Sequence, residues 1–205
     1  MTRFMKMTPI DRMLLLLTVL LAAYQIVVGI DGLSALPIIA YTIAFGVLLV
    51  AGLLLFILGF DVLDSPIVVI ISTIIPLSLS LGLVWEYFAS YRTTYLLFAI
   101  IGFAAVIITR SFTTSEKLPV IVLAIIHGIA GLIIFLLPII FAISGKAKPG
   151  FALVGIGGGL IGLVGLLLSF LKTGKPILSR ERIFKIFPGL LLVMTATYVA
   201  GFALR

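Results

Sequence analysis

Apolar residues run through this chain in stretches longer than a soluble helix needs; from Met13 to Ile30 not one side chain is charged. A helix crosses ~30 Å of hydrocarbon with ~20 residues. That ruler places seven candidate spans, at about 13–30, 38–60, 66–87, 95–110, 118–144, 151–171 and 184–204. Charge, proline or turn residues bound each of them: Asp31-Gly32, Asp61 to Pro66, Tyr91-Arg92, Arg110 to Pro119, Lys146 to Gly150, and Lys172 to Lys185. Membrane barrels are built from short alternating segments, whereas these runs are continuous, so the spans are expected to be helices. The expected fold is an all-α integral membrane protein, a bundle of about seven transmembrane helices. The fourth span is the shortest, and the direction of every later span depends on its crossing.

Composition excludes the soluble alternative. Of 205 residues 63% are hydrophobic and 10% charged, where a soluble domain has about 45–50% and about 25%. The mean hydropathy is +1.42. No water-soluble fold of this size hides that much apolar surface. The absence of cysteine removes disulfides, thiolate metal sites and cysteine nucleophiles together. Arg3, Lys6 and Arg12 precede the first apolar run as in a secretory signal, but the run exceeds the ~7–15 residues of such a signal and no small-x-small site follows it. It reads as a retained first span, and the tiny loops leave no soluble domain among the spans.

Orientation follows from counting Lys and Arg in the short loops. With the N-terminus cytoplasmic, the inner side holds Arg3, Lys6, Arg12, Arg110, Lys117, Lys172, Lys175, Arg180, Arg182 and Lys185. The outer side holds Arg92, Lys146, Lys148 and Arg205. The expectation is a multi-pass protein of the cell membrane with its C-terminus outside. The net charge of +7 thus belongs to the membrane edges rather than to a nucleic-acid surface, because no basic run is interleaved with aromatics. The stretch of Lys172, Lys175, Arg180, Arg182 and Lys185 is a candidate contact for anionic lipid.

A weak similarity links the first three spans with the last three. Leu21-Ala-Ala-Tyr-Gln leading to Leu36-Pro37-Ile-Ile resembles Leu123-Ala-Ile-Ile-His leading to Leu137-Pro138-Ile-Ile. Gly52-Leu-Leu-Leu-Phe before Pro66 likewise resembles Gly165-Leu-Leu-Leu-Ser-Phe before Pro176. Two three-helix repeats, 13–87 and 118–204, joined by a linker span at 95–110 would be parallel, since an odd connector restores direction. Transporters built from repeats hold their site near the midplane between the halves. Chance alignment of Leu/Ile/Gly-rich helices is the competing reading.

Ala152, Gly155, Gly158, Gly159, Gly162, Gly165 and Ser169 recur at spacings of three and four, a stripe along one face of the sixth span. Such a stripe lets a neighbouring backbone approach closely, which is the ordinary packing device in lipid. Ala124, Gly128 and Gly131 form a shorter stripe on the fifth span. The single histidine, His127, lies nine residues beyond Leu118, hence ~13 Å into its span. A midplane polar site would join it to Gln25, Tyr24, Tyr198 and Thr197. Set against this, all seven acidic residues sit at span ends, so no buried carboxylate tunes the imidazole, and helix packing is the stronger expectation. One histidine also excludes a bis-histidine haem, and no cofactor or metal is expected.

Trp85, Glu86, Tyr87, Tyr91 and Arg92 read as an interfacial belt, or alternatively as a binding lip formed by Glu86 and Arg92. Pro76, Pro138 and Pro188 each interrupt a span, and the hydroxyls of Ser72, Thr73, Ser78 and Ser80 are placed to satisfy carbonyls freed by Pro76. Motifs for zinc hydrolases, serine hydrolases and P-loops are absent, as is a lysine halfway along the last span of the kind a retinal protein needs. The expected function is therefore non-enzymatic: a structural or accessory membrane subunit, partnered by lipid and by other membrane subunits or copies of itself. The alternative is a channel or carrier for a small, weakly polar solute.

Overall fold

The computed structural model describes residues 7–112, 117–172 and 177–205, with the side chains of Asp64, Val164, Leu166 and residues 168–172 left out of the description. Arg3, Lys6, Glu116 and Lys175 lie outside the described residues. Eight α-helices run in the order α1 (Pro9–Val28), α2 (Ala35–Leu58), α3 (Pro66–Ser72), α4 (Ile74–Tyr87), α5 (Arg92–Phe112), α6 (Leu118–Ile143), α7 (Ala152–Lys172) and α8 (Arg180–Ala203). Six segments are long and apolar enough to cross a membrane: α1, α2, Pro66–Tyr87, Ala89–Phe112, α6 and α8. α7 is apolar as well and extends over 21 residues.

Local chemistry sets the ends. Thr8 opens α1 with a capping box, its side chain accepting from the Asp11 N–H (3.2 Å) while the Asp11 carboxylate accepts from the Thr8 N–H (2.8 Å). Gly29 (φ 71°) and Gly59 (φ 83°) end α1 and α2 in the left-handed region that only glycine enters without strain. The third span divides at Thr73, three residues before Pro76, where the missing N–H and the proline ring disturb the preceding turn. The Ser72 and Thr73 hydroxyls donate to the Val69 carbonyl (3.0 and 2.8 Å), and Ser80 donates to the Pro76 carbonyl (2.6 Å). These bonds fasten the turns flanking the break, and none reaches the Ser72 carbonyl that Pro76 leaves without its usual donor. Pro138 and Pro188, by contrast, lie within continuous helices.

Six helices close into a ring in the order α1, α2, α4, α6, α7, α8 and back to α1. α5 stands outside it, against α3, α4 and α6. Any sequential ring of six maps onto itself when opposite members are exchanged, so register must carry the comparison of halves. Gly52 and Gly165 both sit late in α2 and α7, as equivalent positions should. Pro37 opens α2, whereas Pro138 lies deep in α6, so the Leu-Pro-Ile-Ile match does not join equivalent positions.

The larger core fills the inside of the ring, where side chains of α2 and α8 meet across it. Phe202 meets Tyr41 (centroids 4.6 Å apart) and Phe45 (6.2 Å), and Phe60 stacks on Phe184 (5.2 Å) with Phe187 at 6.5 Å. A smaller core joins Leu77, Ala99, Val106, Ile126 and Ala130 between the third span, α5 and α6. Outward, Val27, Ile57, Ile101, Ile121, Leu132 and Ile140 are exposed. Apolar surface this extensive is tolerated in lipid but not on a soluble monomer. Every Asp, Glu, Lys and Arg among the described residues lies in a connection or within two turns of a helix end.

Candidate functional site: a vestibule at one end of the bundle

The small-residue stripe on α7 serves packing over part of its length. A Cβ built on Gly155 would lie 2.5 Å from the Phe135 carbonyl oxygen, and one on Gly158 2.7 Å from Ile134 Cγ2 and 2.9 Å from the Phe135 N. Gly159 meets the Phe135 ring at 3.0 Å. α6 and α7 therefore touch backbone to backbone there. Further along, Gly162 and Gly165 have no described atom within 4 Å of such a Cβ, and both are exposed. The expectation of a continuous seam is corrected: among the described residues, the stripe runs on past the close contact. On α6, a Cβ on Gly128 or Gly131 would also meet no described atom within 4 Å, so that stripe makes no close helix contact among the described residues.

Sequence reasoning missed the seam between α7 and α8. A Cβ on Gly157 would lie 2.7 Å from Tyr198 Cε1, and one on Gly201 2.6 Å from the Val154 N. Gly157 falls outside the stripe's spacing, and only knowledge of which helices adjoin pairs it with a tyrosine.

The polar candidates do not converge. His127 Nδ1 is 3.2 Å from the Leu123 carbonyl of its own helix, a bond that requires the proton on Nδ1. Gln25 is 6% exposed and donates through Nε2 to the Gly29 carbonyl (2.8 Å), closing the end of α1. Tyr24 is exposed one residue away. Thr197 donates to the Met194 carbonyl (2.8 Å). Tyr198 is buried, and its hydroxyl has no partner among the described residues. Gln25 lies near the end of α1 while His127 lies ten residues into α6, and these helices are not neighbours in the ring. An orphaned hydroxyl costs its desolvation, typically ~1–3 kcal/mol. Tyr198→Phe is therefore expected to leave stability in detergent unchanged or raise it by about 1 kcal/mol. Tyr95→Phe, which breaks a 2.8 Å bond to the Ser80 hydroxyl, is expected to lower it; thermal unfolding compares the two.

What the ends of the helices do build is a vestibule of about 810 Å³. It lies where α1, α4, α6 and α8 all finish, and Tyr24, Gln25, Asp31, Glu86, Tyr87, Lys146, Lys148, Phe202 and Arg205 are among its walls. The Arg205 guanidinium donates to the Asp31 backbone carbonyl and lies within reach of the Tyr87 hydroxyl. The proposed lip of Glu86 and Arg92 is divided. Arg92 turns away to donate to the Trp85 carbonyl (2.6 Å) with its guanidinium 5.7 Å from the Trp85 ring centroid. Glu86 faces the vestibule and accepts weakly from Ser34 (3.4 Å).

At the opposite end, the Arg180 guanidinium sits 5.2 Å over the Phe184 ring, and Ser179 caps α8 by accepting from the Arg182 N–H (3.3 Å). Arg182 and Lys185 are exposed there. Lys172 ends α7, its side chain outside the description, and Lys175 lies beyond it.

Together the apolar spans, lipid-facing surfaces and charges confined to the ends define the class: a polytopic, all-α membrane protein. Against protein-family models, curated proteins and solved structures, the chain matches none.

Proposed function

We propose that this protein is a non-enzymatic structural or accessory membrane subunit, crossing the cell membrane seven times with its N-terminus cytoplasmic and its vestibule outside. The observation that carries the reading is the filled inside of the ring, where α2 and α8 meet. Rings from Phe184 and Phe60 at one end to Phe202 and Tyr41 at the other occupy the depth where a permeation route would run. A packed interior and broad apolar flanks suit a protein whose work is done through its sides, against lipid, other subunits or copies of itself. The basic residues at the start of α8 serve orientation first, and their charge suits anionic head groups as well.

Native mass analysis of the tagged protein, extracted from its own membranes in mild detergent, tests this. Stoichiometric partner subunits or a defined homo-oligomer are expected, and a bare monomer would overturn it. A second reading, a channel or carrier for a small, weakly polar solute, draws on one observation: a vestibule with walls from both halves of the chain opens at one end of the bundle. That reading takes the 13–87 and 118–204 segments as true repeats. Solute flux into proteoliposomes discriminates it from the first.

A further inference from the structure

We propose that the vestibule binds a small zwitterion carrying an apolar side group, of the amino-acid kind. Its volume, about 810 Å³, falls within the ~300–1,000 Å³ of small-molecule sites. More telling is how its charges divide. Both carboxylates, Asp31 and Glu86, come from the first half of the chain, after α1 and near the end of α4. Both ammonium groups, Lys146 and Lys148, come from the connection between α6 and α7. Arg205, a third cation of the lining, is held by the Asp31 backbone carbonyl and Tyr87 and not by either carboxylate.

Among the described residues, no ion pair joins these carboxylates to these ammonium groups. Lys146 lies 5.6 Å from the Phe141 ring centroid, and the Glu86 carboxylate meets only the 3.4 Å contact from Ser34. A purely cationic solute suits the carboxylates and is repelled by the basic groups, and a purely anionic one meets the reverse. A molecule with an ammonium and a carboxylate complements both at once. Between the walls, Phe202 and Tyr87 offer aromatic surface to an apolar side group. The inference rests on the vestibule alone and adds a ligand to either reading above.

Leucine, isopentylamine and 4-methylpentanoate share an alkyl group and differ in charge, which makes them suitable probes at low ionic strength. Equilibrium binding to the purified protein in mild detergent is expected to be saturable for leucine, and at least about tenfold weaker for either singly charged analogue. Glycerophosphoethanolamine tests a lipid head group as the source of the zwitterion: binding in preference to leucine would reject the amino-acid kind. Glu86→Gln and Lys148→Gln are each expected to weaken leucine binding about tenfold with thermal stability unchanged, since neither side chain enters the core. No saturable binding of leucine at millimolar concentration, equal binding of all three probes, or undiminished binding by both variants would overturn the proposal.

Discussion

Gly155→Leu is expected to destabilise the protein by about 3 kcal/mol or more, while Gly162→Leu leaves stability unchanged or raises it by up to about 0.8 kcal/mol. The two positions share a helix and a stripe, and the substitution brings the same gain in helix propensity to both, ~0.8 kcal/mol. Any difference between them therefore isolates packing. At Gly155 the obstacle is the Phe135 carbonyl oxygen, 2.5 Å from the added Cβ, with Ile139 Cγ1 at 2.6 Å. A side chain can rotate away, but a backbone carbonyl moves only with its helix, so α6 and α7 must separate. In lipid that separation forfeits dispersion contacts, the chief attraction between apolar helices. Gly162 presents an exposed position to the bilayer. Retention of the folded peak on size exclusion after graded heating measures both, and equal behaviour would reject the seam as drawn.

Phe202→Ala is the second large effect. The ring is 4% exposed, packs between Tyr41 and Phe45 and forms part of the vestibule floor. In aqueous cores such a truncation costs ~3–5 kcal/mol, part of it from lost transfer out of water. Where the reference environment is itself apolar that part shrinks, and a loss of about 2 kcal/mol is expected. The cavity left behind would adjoin the vestibule, which makes the inside of the ring accessible from outside. A cysteine placed at Phe45 in the Phe202→Ala background is expected to react with a water-soluble maleimide, and not to react when Phe202 is present. Labelling in both proteins would show that the inside of the ring is open already and would count against the accessory-subunit reading.

Most of the fold was legible because each span announces itself locally. Apolar length placed seven candidate spans, of which six are long and apolar enough to cross among the described residues; charge, proline and turn residues marked their ends, and Pro76 marked the break in the third. Contacts between helices were legible only in part. The α7 stripe marked a packing face, yet the residue that takes Tyr198 is Gly157, off the stripe, and Gly162 packs on nothing described. Small residues advertise the possibility of approach, and the partner decides where approach happens. The polar site was misread for a related reason. Depth along a helix can be counted, but neighbourhood around a ring cannot, so His127 and Gln25 were grouped although α1 and α6 are not neighbours in the ring. The vestibule was invisible because its walls come from four helix ends far apart in the chain, and its charges read individually as topology signals.

Those same charges have an electrical consequence. A side-chain charge carried across the full membrane potential exchanges about 2.3 kcal/mol per 100 mV with it. Here every carboxylate, ammonium and guanidinium among the described residues sits near a helix end, and the chain's one histidine, His127, holds a proton against its own backbone. Tilting or sliding of these helices would move almost no charge through the field. Any rearrangement of the bundle should proceed at the same rate in a polarised membrane as in a depolarised one, leaving chemistry at its two faces to drive it.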